Sequence, residues 1–182
     1  MKSFILASQS PRRKELLGKI LPEFDCIPAK GEEIFEAGAI DPAVMKVAAA
    51  KGREIFADHP DAIVLSADTI VVDGDRILGK PKDKEEASRT LHQLSGRWHE
   101  VKTGVALFDG DRLRQQVVTT RVHFRQLSDE EIETYVQSGG PLDKAGSYGI
   151  QDVDFVDKLD GSFSNVVGLP MELVKNWLED LL

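Results

Sequence analysis

A mixed α/β fold, with helices flanking a twisted sheet, is predicted by three features of the 182-residue chain. Apolar strand-like runs lead straight into capped or proline-led helices, Asp-Gly turns close hairpins, and no repeat or linker-like tract divides the sequence. With 41% hydrophobic residues the chain can bury one substantial core, so residues 1–182 are expected to form a single domain.

Residues 4–7 (FILA) read as a buried strand, and Ser10-Pro11 then supplies an N-cap and a first-turn proline for a helix through Leu17. Residues 24–27 form a weaker strand, followed by the acidic stretch 32–36 and a second helix start at Asp41-Pro42 that runs to about Phe56. The strongest strand spans 62–72, with Asp73-Gly74 turning it back into 76–78. Asp83 with Glu86 opens a helix that places Ala87, Leu91 and Leu94 on one face and stops at Gly96. Residues 101–108 and 113–126 flank Asp109-Gly110-Asp111 as a long hairpin, and Ser128 with Glu131 caps a short helix ending at Gly139-Gly140-Pro141. Residues 142–169 show little periodicity, and Pro170 opens an amphipathic terminal helix.

Acidic residues outnumber basic ones 31 to 23, for a net charge of −8. Stable nucleic-acid binding is therefore not expected, and a phosphate-bearing substrate would need a local cationic pocket. No run approaches the roughly 20 apolar residues that span a bilayer, so no membrane partner is expected either. The single Cys26 has no intrachain partner, which fits a reducing cytoplasm and reads as a buried, inert thiol.

Several polar residues stand where packing alone would not put them. Arg12 and Arg13 occupy the first turn of a helix, where the macrodipole disfavours cations by about 0.3–1 kcal/mol. Either they point into solvent or pair with Glu15, or they cradle a phosphate together with the Ser8 and Ser10 hydroxyls. Asp68 lies on the strand face shared by Val64, Ile70 and Val72. Burying it unpaired would cost several kcal/mol, so a metal, a cationic partner or a structural ion pair is expected beside it. Lys51 falls near the Val44/Ala48 stripe of its helix, where it either snorkels or acts. Lys80 follows the hairpin that begins with Asp68 and is either a solvated turn lysine or a neighbour of that carboxylate. Glu32, Glu33 and Glu36 form either a solvated acidic run or a source of ligands for a hard cation such as Mg²⁺ or Mn²⁺. His59, His92, His99 and His123 lack the spacing of a zinc motif.

Taken in order, Leu6-Ala7-Ser8-Gln9-Ser10-Pro11-Arg12-Arg13, Ser66-Ala67-Asp68-Thr69-Ile70-Val71 and Gly79-Lys80-Pro81 resemble the signature of the Maf family. Leu94-Ser95-Gly96 with His99, Thr103-Gly104-Val105, residues 143–151 (DKAGSYGIQ) and residues 166–170 (VVGLP) extend the resemblance across nearly the whole chain. It implies two lobes with a central cleft, similar to inosine triphosphate pyrophosphatases, and proteins of this kind are frequently homodimers. It also implies house-cleaning hydrolysis of a nucleoside triphosphate to monophosphate and pyrophosphate. By the same resemblance Asp68 would be the general base, Glu33 and Asp68 would bind the divalent metal (Mg or Mn), and Arg12, Arg13, Lys51 and Lys80 would grip the triphosphate.

Within the family, Arg12, Thr69 and Gln151 match the dTTP/UTP branch, where the 7-methyl-GTP branch tends to have tryptophan, glutamine and glutamate. A neutral amide at Gln151 can both donate to and accept from a pyrimidine edge. Ser147 and Asp152 depart from the alanine and glycine common at those positions. Two other readings are a non-catalytic nucleotide- or nucleic-acid-binding regulator of cell division and a purine-directed pyrophosphatase; pyrophosphate release and substrate competition separate them.

Overall fold

The computed structural model describes residues 1–181. Its sheet has seven strands in the order β2-β1-β3-β5-β6-β7, with β4 paired to β3. Strand β1 (Phe4–Leu6) runs parallel to both β2 (Asp25–Cys26) and β3 (Ile63–Asp73). Antiparallel pairs join β3 to β4 (Arg76–Leu78) and β6 (Arg112–Phe124) to β7 (Val156–Asp160), so the sheet is mixed as expected.

Helix boundaries follow their caps. Ser10 accepts from the Arg13 amide at the start of α1 (Pro11–Gly18), and Asp83 accepts from the Glu86 amide at the start of α3 (Lys84–Leu94). Ser128 and Glu131 form the reciprocal capping box of α4 (Asp129–Gln137). Helix α2 (Ile40–Asp58) departs from expectation: Ala39, not Asp41, is its N-cap. Pro42 falls inside the first turn, where its missing N–H had no intrahelical partner to lose.

Three further expectations need correction. Strand β5 (Trp98–Asp109) begins three residues before Val101, because the alternation continues back through buried His99, whose polar ring hides the pattern. The segment 142–169 is not wholly irregular, since it contains β7 and the short helix α5 (Phe163–Val167) before α6 (Met171–Glu179). β7 carries charge along a terminal strand, which guards an edge but weakens the apolar signal. Cys26 is exposed on two-residue β2, contrary to the buried thiol expected.

The chain divides into two compact units. The first comprises Met1–Thr69, Thr103–Val118 and Gly168–Leu182; the second comprises Ile70–Lys102 and Thr119–Val167. In the first, α2 covers Ile5, Val64 and Ala106, and Phe56 stacks on Phe108 at 5.5 Å. The second is centred on Phe124, wholly buried, with His99, Tyr148 and Phe155 edge-on to it. Ala87, Leu91 and Leu94 of α3 and Ile132 and Val136 of α4 close this core. Truncating a ring such as Phe124 to alanine in such a site typically costs about 3–5 kcal/mol. No helix among the described residues is long and apolar enough to cross a membrane.

Candidate active site

Helix α2 packs against β3 at Gly52, where there is no room for a side chain. A Cβ there would come within 2.5 Å of both Ser66 Oγ and a Phe108 ring carbon, so any side chain would push the helix away. Ser66 Oγ instead donates to the Ala48 carbonyl at 2.7 Å and fixes the contact. Lys51, adjacent to Gly52, is thereby set over Asp68, two residues beyond Ser66 on β3.

Lys51 Nζ lies 2.8 Å from Asp68 Oδ1 and 2.7 Å from Glu33 Oε1. The ammonium neither snorkels outward nor sits in the apolar stripe without purpose; it joins two carboxylates that are 35 positions apart in the chain. The Asp68 side chain is only 7% exposed. Its other oxygen, Oδ2, is buried and accepts no hydrogen bond from any described residue. Burial raises the carboxyl's pKa above its ordinary value; Lys51, by charge and hydrogen bond, opposes the rise, and the Glu33 charge adds to it.

Arg13 is turned inward rather than toward solvent or Glu15. Its Nε donates to the Gly168 carbonyl at 2.7 Å, and its Nη2 donates to Thr69 Oγ1 at 3.0 Å. Thr69 Oγ1 lies 2.8 Å from Thr103 Oγ1, so a hydroxyl pair buttresses the guanidinium. Gly168 has φ of +136°, a conformation that a side chain would strain, and this presents its carbonyl to Arg13. Burial lowers the Arg13 pKa, with the Asp68 charge opposing the loss. Ser10 Oγ accepts from the Arg13 amide and Ser8 Oγ from the Ser10 amide, at 3.3 and 3.1 Å, which ties the two hydroxyls into the helix start. Arg12 is half-buried in the same turn.

Thus Ser8, Arg13, Glu33, Lys51, Asp68 and Thr69 share the first unit, together with Arg12. Thr103 and Gly168 belong to this constellation and had no role assigned from sequence, although both lie inside the quoted motifs. Nothing in the sequence reports that the Gly168 carbonyl meets a distant guanidinium or that the Thr103 hydroxyl backs Thr69. Lys80 and Gln151 lie in the second unit, both exposed. The turn carrying Gln151 is braced: Tyr135 Oη accepts from the Gly149 amide at 3.0 Å and donates to Asp152 Oδ2 at 3.1 Å. Lys144 Nζ lies 3.2 Å from the same Asp152 oxygen, which gives the departure from glycine at this position a structural partner set. A cavity of about 690 Å³ in the second unit, lined in part by Glu130, Tyr135, Asp152 and Phe155, includes none of the expected site residues.

The first-unit donor set fits a hard divalent cation. A buried carboxylate oxygen lacking a protein donor and a second carboxylate held on the same lysine are the ligands such a cation takes. No cluster of three or more His, Cys, Asp or Glu able to hold a metal occurs among the described residues, so water and phosphate oxygens would complete the shell.

The mixed α/β fold is shared with a HAM1 protein from Coxiella burnetii. That structure matches 99% of this chain and 100% of its own with a TM-score of 0.58 at 17% identity, a likeness of fold alone. The family is more specific: residues 3–181 match the model for Maf-like proteins, and the chain belongs to that family. A relative from Bdellovibrio bacteriovorus is 44% identical over 97% of both chains. Another from Halalkalibacterium halodurans is 47% identical, covering 94% of this chain and 92% of its own, and one from Aquifex aeolicus is 41% identical over 97% and 94%. All three are named dTTP/UTP pyrophosphatase.

Proposed function

We propose that this protein hydrolyses dTTP and UTP, and modified pyrimidine nucleotides of the same shape, to the monophosphate and pyrophosphate. The observation that carries the reading is Asp68: a buried carboxylate with one oxygen on Lys51 and the other without a donor. A carboxylate kept in that state is costly to the fold and useful to chemistry. The names of three relatives above 40% identity support the substrate.

In this mechanism the Asp68 carboxylate accepts a proton from the attacking water, whose oxygen bonds to the α-phosphorus. The anhydride between the α- and β-phosphates breaks and pyrophosphate leaves. A divalent cation held by Glu33 and Asp68, Mg²⁺ or Mn²⁺ by ligand chemistry, supplies positive charge to the phosphates when bound. Lys51 keeps the two carboxylates together, and Arg13, with Arg12 and the Ser8 hydroxyl at the helix start, grips phosphate oxygens. Locking the Arg13 guanidinium on Gly168 and Thr69 lowers the entropy cost of that grip. For Lys80 as a further phosphate ligand and Gln151 as the base-recognising amide, the support is their position in the family motifs.

The test is pyrophosphate release from dTTP, UTP, 7-methyl-GTP and ATP with Mg²⁺ or Mn²⁺, with nucleotide products separated chromatographically. Monophosphate and pyrophosphate from dTTP and UTP are expected, well ahead of the purines. Diphosphate and inorganic phosphate as products, or preference for 7-methyl-GTP, would overturn the reaction or the pocket respectively.

A further inference from the structure

Glu33 sits in a stretch, residues 27–39, that contains neither helix nor strand, so no ladder of backbone hydrogen bonds fixes where its carboxylate lies. Yet the chain just before it is clasped. Glu54 Oε1 accepts from the Lys30 amide at 2.7 Å, and Glu54 Oε2 accepts from the Gly31 amide at 2.9 Å. Both carboxylate oxygens are spent on consecutive backbone N–H groups, an arrangement about twice as strong as neutral hydrogen bonds. Gly31 permits the approach, since a Cβ there would meet Glu54 Oε2 at 3.0 Å.

Glu54 lies three residues after Lys51 on α2, so the two side chains share a helix face. That face holds the incoming segment at two points: by backbone at Lys30 and Gly31 through Glu54, and by side chain at Glu33 through Lys51. Glu33 lies only two residues beyond Gly31, which leaves little freedom, because each residue extends at most about 3.6 Å. We propose that Glu54 is a positioning residue for the reaction: its grip on the 30–31 backbone sets the Glu33 carboxylate beside Asp68. The inference rests on the reading of Glu33 and Asp68 as ligands of the divalent cation.

The experiment measures the Kd of Mn²⁺ alone by water-proton relaxation for wild type, Glu33→Gln, Glu54→Gln and the double variant, with circular dichroism and thermal midpoint recorded for each. Glu54→Gln keeps the stem but replaces one acceptor with an NH₂ that faces a backbone N–H. Outer-shell changes typically weaken metal affinity by 10–100-fold, and about tenfold is expected here. The double variant is expected to bind no more weakly than Glu33→Gln, because Glu54 acts through Glu33. Gly31→Ala, which crowds the clasp from the other side, is expected to weaken Mn²⁺ in the same direction by a smaller factor.

If Glu33→Gln weakens binding and Glu54→Gln does not, the positioning role is overturned while the cation site stands. If neither weakens it, the cation site itself is wrong and the inference goes with it. A loss with Glu54→Gln that adds in full to the loss with Glu33→Gln would show that Glu54 acts by some other route, and this too overturns the proposal.

Discussion

Two aspartates five residues apart on β3 are equally hidden from water and are treated in opposite ways. Asp73, in the second unit, is 7% exposed and satisfied on both oxygens: Arg97 donates to Oδ1 at 3.0 Å and to Oδ2 at 3.2 Å, and Gln93 Nε2 donates to Oδ2. Asp68, in the first unit, has the same exposure and a single donor, with Oδ2 left without one. Burial is therefore not what separates the proposed catalytic carboxylate from the structural one. What distinguishes it is the oxygen that the fold declines to satisfy.

The comparison is broken most easily by turnover. Asp68→Asn is expected to lower kcat for dTTP by at least about a hundredfold, the usual contribution of a general base or ligand carboxylate. Asp73→Asn, measured in the same pyrophosphate-release assay, is expected to stay within about threefold of wild type. Comparable losses in both would erase the distinction.

Acid titration sharpens it, because two buried groups, His99 in the second unit and Asp68 in the first, respond with opposite signs. His99 is buried against Phe124 and Tyr148, and burial pushes its pKa down from 6.5 to about 4. The unfolded chain binds that proton more readily, so stability is complete above about pH 6.5 and is lost as pH falls toward about 4, by about 3 kcal/mol in all. Asp68 has a raised folded pKa, so its contribution runs the other way, with stability lost as pH rises through that value. Urea unfolding at several pH values should show an acid loss that His99→Gln flattens and Asp68→Asn does not; an acid limb unchanged in His99→Gln would contradict the assignment.

Asp73→Asn should cost about 1–3 kcal/mol of unfolding free energy, below the 3–5 kcal/mol of a fully buried broken pair because the Arg97 side chain is 53% exposed. A smaller effect is expected from Gln151→Glu: about a tenfold drop in kcat/KM for dTTP, from loss of an amide donor to the base. An unchanged nucleotide ranking in that variant would remove Gln151 from the pocket.

Much of the first unit's candidate site stands out in the chain, because its residues violate local expectation: arginines at a helix N-terminus, an aspartate on an apolar strand face, a lysine near an apolar helix stripe. Caps at Ser10, Asp83 and Ser128 were equally plain, since each bond spans three residues. What stayed hidden depends on contacts distant in sequence. The Gly168 carbonyl and the Thr103 hydroxyl hold Arg13 from 155 residues away and through Thr69, and neither residue is unusual for its own segment. Glu54 looks like an ordinary exposed helix glutamate until the 30–31 backbone is placed against it. β7 and the start of β5 are hidden because charge and a buried histidine mask the alternation that marks a strand.

If Asp68 is held for chemistry at the expense of the fold, the unfolding free energy of Asp68→Asn at pH 7.5, measured by urea titration beside wild type, will show it. The variant is expected to be as stable as wild type or more so, since an amide removes a buried charge while Lys51 keeps Glu33 as its partner. A loss of about 2 kcal/mol or more, matching what Asp73→Asn is expected to show, would mean that Asp68 is a structural ion pair after all.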